Sequence, residues 1–235
     1  MPPKGISPAR QRERPSTYEC SQATIERMVD VAERLFAEHG IKGVSLRRIA
    51  RESGQRNAVA PQYHFDTKEG LVQAIYEKRT GINDRLRLQY LGELRERGDD
   101  RNLRAIVAAA VRPLADELDA GESGWNFLRF QVQVRVYSAQ LYRTVILEGP
   151  GGEGLRLAME MAQKILPPVP ESMLAQRFEL AIELVLSSFA ERARQLARRE
   201  QYPKSNSQFV AVLIDCAAAM LAAPSSPTSA SMKFD

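Results

Sequence analysis

"SLRRIARESGQRNAVAPQYHF", Ser45 to Phe65, decides how this chain is built. Its first half reads as a two-turn helix. Ser45 is a natural N-cap, Val44 and Ile49 stand where a hydrophobic staple closes, and Leu46, Ile49 and Ala50 share one side. Gly54 stops that helix. The second half gathers Arg56, Asn57, Gln62, Tyr63 and His64, with Pro61 among them. Proline lacks an N–H and clashes one turn back, so it is tolerated only within the first turn or so of a helix. The second helix is therefore predicted to start at 57–59, with Asn57 as N-cap and Gln55 and Arg56 in an enlarged turn. Two short helices across a glycine turn make a helix-turn-helix. In that motif the second helix enters the major groove of double-stranded DNA. Arg pairs there with guanine, and Asn or Gln with adenine, through bidentate hydrogen bonds.

Upstream, "TIERMVDVAERLFAEHG" carries Ile25, Met28, Val29, Ala32, Leu35 and Phe36 on one helical stripe, and Gly40 is placed to end it. Downstream, Asp66 and Glu69 have capping-box spacing at the start of a helix that runs through Leu71, Val72 and Ile75 to about Arg97. Thr67 and Lys68 fall at its first turn, where free N–H groups and a cation suit a backbone phosphate. Further helices are predicted over 101–119, 125–137, 138–148, 153–166, 171–200 and 206–222, parted by segments rich in Gly, Pro, Asp or Ser. "FQVQVRVY" at 130–137 alternates like a strand, but its helical neighbours argue for a helix. The fold class is all-α.

The charge is uneven. Residues 1–80 hold 14 Lys and Arg against 10 Asp and Glu, and the remaining chain is balanced, so the whole net charge of +4 sits in the first third. A basic head on a neutral body suits a polyanionic partner. Cys20 and Cys216 stand far apart, which disfavours a disulfide framework or a zinc site. No secretory signal and no membrane-length apolar run is present, so a cytoplasmic place is expected. HExxH, GxSxG and Walker A motifs are missing, and "GPGGEG" lacks the GK[ST] of a phosphate loop. No enzyme activity, metal or cofactor is expected.

Taken together, "LFAEHG", "VSLRRIARESG", "YHF" and "TKEGL", in order and at these spacings, resemble the DNA-binding domain of the tetracycline-repressor-like (TetR) transcriptional regulators over roughly residues 22–80. One departure stands out: Gly54 to Phe65 spans eleven steps, one more than the common form of that family. The resemblance implies an N-terminal three-helix head on a helical ligand-binding and dimerisation body. It implies a flexible basic arm over 1–21, a helix-turn-helix domain over 22–66, a body over 67–223 and a disordered tail over 224–235. The expected function is a homodimeric repressor, released from a palindromic operator by a small hydrophobic or aromatic effector. The alternative is a small-molecule enzyme or carrier with a vestigial head. DNA contacts are expected from Ser45, Arg47, Arg56, Asn57, Gln62, Tyr63, His64 and Lys68. Effector contacts are expected from Trp125, Phe130, Tyr137 and Tyr142. The dimer face is expected at Leu180, Leu184, Val210, Leu213 and Ala217.

Overall fold

The computed structural model describes residues 17–55, 60–200 and 205–224. Every regular element among them is helical. Helix α1 (Thr17–Gly43), α2 (Leu46–Glu52) and α3 (Ala60–Phe65) form the head, and α4 (Lys68–Arg97) leads out of it. The body adds α5 (Leu103–Asp119), α6 (Glu122–Tyr137), α7 (Ala139–Tyr142), α8 (Glu153–Ile165), α9 (Glu171–Ala197) and α10 (Asn206–Ala222). A π-helical turn, Arg143–Glu148, and a 3-10 turn, Pro150–Gly152, join α7 to α8. The alternating "FQVQVRVY" lies in α6, as its neighbours predicted.

The head follows its sequence closely. Met28, Val29, Ala32, Leu35 and Phe36 are buried along the stripe of α1. Gly40 has φ +73, a backbone that side chains with a Cβ adopt at a cost, and it breaks α1 before a last short turn. Ser45 Oγ accepts from Arg48 N at 3.2 Å and starts α2. Gln55 is not helical, as the enlarged turn requires, and Pro61 falls in the first turn of α3. The predicted start at 57–59 lies outside the described residues. Helix α1 begins at Thr17, so the last residues of the expected arm are helical.

One cap is corrected. Asp66 does not cap α4: it takes a left-handed φ of +62, and Thr67 is the N-cap, its hydroxyl accepting from Gly70 N at 3.1 Å. The turn out of α3 uses one residue more than the capping-box spacing assumed. Glu69 is instead held by the Tyr137 hydroxyl of α6.

Head and body share one core. Phe36 of α1 stacks on Phe130 of α6 at 6.3 Å between ring centroids, and Tyr76 of α4 meets the same ring at 5.3 Å. All three side chains are 1 % exposed or less. Each such ring contributes roughly 1.5–3 kcal/mol by burial. Helix α4 thus starts in the head, passes this joint and continues into the body.

Candidate functional site

Two places gather unusual polar chemistry, and α4 runs through both. The first is the surface of the head. Arg47 is exposed on α2, and its guanidinium has no partner among the described residues. Arg48 beside it is engaged, donating to Glu52 at 2.8 Å. Ser45 is exposed but serves α2 as its cap. His64 is exposed at the end of α3. Lys68 Nζ donates to Ile41 O at 2.9 Å and Lys42 O at 3.3 Å, so it closes the carbonyl end of α1 while standing at the first turn of α4. Arg56 and Asn57 lie outside the described residues, as do the side chains of Gln62 and Tyr63.

The second place is an apolar cavity of about 100 Å³ inside the body. Helix α4 lends it Thr80, Asn83 and Arg87; α6 lends Phe127 and Gln131; Tyr142 and Ile146 border it from α7 and the π-turn. Of the residues expected to contact an effector, only Tyr142 lines it. The other three face elsewhere for physical reasons. Phe130 is locked into the head–body core. Trp125 turns its indole N–H to Leu118 O at 2.8 Å. Tyr137 holds Glu69 at the start of α4.

The polar lining was missed because charge in a helix sequence reads as solvated surface. Arg87 is 8 % exposed. Its Nε donates to Ala110 O at 2.9 Å, and its Nη1 lies 3.7 Å from Asp84 Oδ1, an ion-pair distance too long for a hydrogen bond. Burial pulls its pKa below the usual guanidinium range, against the pull of Asp84. Asp84 in turn accepts from Gly154 N at 2.9 Å. Helix α8 comes this close because residue 154 is glycine: a Cβ there would stand 2.7 Å from Arg87 Cβ. Gln131 is 4 % exposed, and its Nε2 has no hydrogen-bond partner among the described residues. Burial pushes the Tyr142 hydroxyl up to about 12, so it stays a neutral donor.

Between the two places lies a polar bolt. Arg79 of α4 donates to both carboxylate oxygens of Glu33 on α1, at 2.6 and 2.9 Å. It also donates to Ser123 O at 3.0 Å and Ser123 Oγ at 2.7 Å in the first turn of α6. Its guanidinium sits 5.4 Å from the centroid of Phe127, a ring that lines the cavity. Burial raises the pKa of Glu33, and the Arg79 bonds oppose that rise.

The expected dimer face divides. Leu213 and Ala217 are 4 % and 1 % exposed, turned into the protomer's own core, with Ala217 at the cavity wall. Leu184 and Val210 are half-buried, and Leu180 and Val212 are exposed at 53 % and 49 %. The outward face of α10 is thus a step away from the expected one. Among the described residues no cluster could hold a metal ion, and no helix is long and apolar enough to cross a membrane.

Comparison with known proteins bears on the head. No curated protein sequence matches the chain. Among solved structures, a mutant of the HlyIIR protein is similar at 15 % identity and a TM-score of 0.47, covering 90 % of this chain and 100 % of that one. Residues 28–75 match the model of the bacterial regulatory proteins of the tetR family, a span that runs from the buried stripe of α1 through the helix-turn-helix into α4. Over those residues the chain is similar to the DNA-binding part of the bacterial regulatory proteins of the tetR family.

Proposed function

We propose that the chain is a homodimeric repressor whose heads grip a palindromic operator and whose body answers to a small hydrophobic effector. The observation that carries this reading is the path of α4. Its first turn holds the end of α1 through Lys68, its middle is bolted to the head by Arg79, and its next turns line the cavity through Asn83 and Arg87. A molecule that occupies the cavity more favourably in one setting of α4 than in the other shifts the spacing of the two heads. DNA contacts fall to Arg47, Arg56, Asn57, Gln62, Tyr63 and His64, with Ser45 and Lys68 setting the helices that present them. Two protomers meet through the outward faces of α9 and α10, where Leu180 and Val212 are exposed.

A gel shift on the DNA upstream of the chain's own gene tests the reading. Wild type shifts it at low salt, and Arg47→Ala, which breaks no internal contact, weakens binding and lowers the salt slope by about one. No shift at low salt by folded wild-type protein overturns the reading.

A further inference from the structure

The cavity carries a chemical bias that an apolar effector does not need. Its walls are aliphatic and aromatic, yet three of the residues that line it carry donors short of partners. Gln131 Nε2 has no partner, neither Nη atom of Arg87 makes a hydrogen bond among the described residues, and Tyr142 is held protonated. A buried donor left unpaired is costly, so such a lining is suited to receive an acceptor.

The surrounding charges decide what kind. Arg87 already faces Asp84. One turn away Asn83 Nδ2 donates to Glu117 Oε1 at 3.4 Å, and Arg79 serves both Glu33 and Glu117. Two guanidinium groups therefore stand among three carboxylates. On the other side, Arg135 over the Tyr142 ring is itself paired with Glu183 and Glu179. A carboxylate ligand would add a further negative charge to a buried, already carboxylate-rich corner, where uncompensated charge is expensive. A cationic ligand would meet the donors of Gln131 and Arg87 head-on. A neutral acceptor satisfies the donors and leaves the charge balance unchanged.

We infer that the cavity takes a compact, neutral, apolar molecule bearing one carbonyl oxygen, a ketone or ester, whose oxygen is received by Gln131 and Arg87. The inference deepens the effector reading above and rests on it. At about 100 Å³ the cavity is smaller than the roughly 150 Å³ that accommodates benzene, so a single small ring or a short chain is the upper limit of its ligand.

Four probes of one shape test it: cyclohexanone, methylenecyclohexane, cyclohexanecarboxylate and cyclohexylammonium. Each is titrated into the full-length protein without DNA, and affinity is read from chemical-shift changes that include the Gln131 side-chain amide. Cyclohexanone should bind roughly tenfold more tightly than methylenecyclohexane, the worth of one hydrogen bond, and it alone should move the Gln131 amide strongly. In Gln131→Leu the preference should fall severalfold, with Arg87 left as the remaining donor, while methylenecyclohexane binds at least as well. The wild-type comparison stands even if that variant folds poorly. Equal or tighter binding of methylenecyclohexane overturns the inference, as does tighter binding of the carboxylate or the ammonium, or no binding of any probe. Operator release is measured separately: a carbonyl preference without release leaves the inference standing and removes the effector reading, and release by an effector that shows no such preference does the reverse.

Discussion

Arg79 and Arg87 lie two turns apart on one helix, and the chain treats them in opposite ways. Arg79 is satisfied: two bonds to Glu33, two to Ser123 and an aromatic face beneath it. Arg87 is buried more deeply with one hydrogen bond to a carbonyl and a loose ion pair. At the joint Arg79 has its partners, although the buried Tyr76 hydroxyl beside it has none among the described residues; at the cavity Arg87 and Gln131 are both left short. A buried polar group with all its partners stabilises the architecture; one without them at a cavity wall has capacity left for a ligand.

The joint should break most expensively. Arg79→Ala leaves Glu33, 2 % exposed, as a buried carboxylate without its cation, and removing one partner of such a pair costs about 3–5 kcal/mol. Chemical denaturation should show that loss, and the double variant Arg79→Met with Glu33→Gln should recover most of it. A double variant as unstable as Arg79→Ala would mean that the stabilisation lies in the packing of the Arg79 stem and not in the charge pair.

At the cavity the sign should reverse. Gln131→Leu replaces an unpaired buried amide with an apolar group of similar size, so the ligand-free protein should gain about 1 kcal/mol. Thermal unfolding of the two proteins without ligand checks it. A loss of stability would show that the Gln131 amide is satisfied after all, and would dissolve the contrast with Arg79.

The same contrast explains what could be read from the letters. The head's devices are local: a stripe on α1, a cap at Ser45, a break at Gly40, a proline that must sit early in α3. Each is set by neighbours within a few residues, so their order was legible. The body's helices were legible for the same reason, by period. The cavity was not. Phe130 and Arg87 each took their role from partners more than twenty residues away, the one from Phe36 and the other from Ala110. Aromatic content pointed to Trp125, Phe130 and Tyr137, which the fold spends on the core and on two hydrogen bonds. Even the cap of α4 moved by one residue, because the turn from α3 put Asp66 in a left-handed backbone that no local pattern announced.

The smallest effect concerns a second satisfied cluster, this one at the surface of the head. Glu52 at the end of α2 accepts from Arg48 at 2.8 Å within its own helix and from Arg34 of α1 at 2.7 Å. Those bonds, Arg48 first, hold its carboxyl down at about 2, below its ordinary value. The folded pKa is thus depressed, so the stabilisation is present above about pH 4.5 and is lost as the pH falls toward 2. Other carboxylates titrate in that window, so the useful quantity is the stability difference between wild type and Glu52→Gln. That difference should be positive near pH 5 and should shrink steadily on acidification. Because the pair is solvent-screened, it should remain small beside the Arg79 effect at every pH. A difference that stays constant across the window would show that the two arginines hold Glu52 by geometry alone. The rule drawn from α4 would then fail at the surface: full satisfaction would mark architecture only where water is excluded.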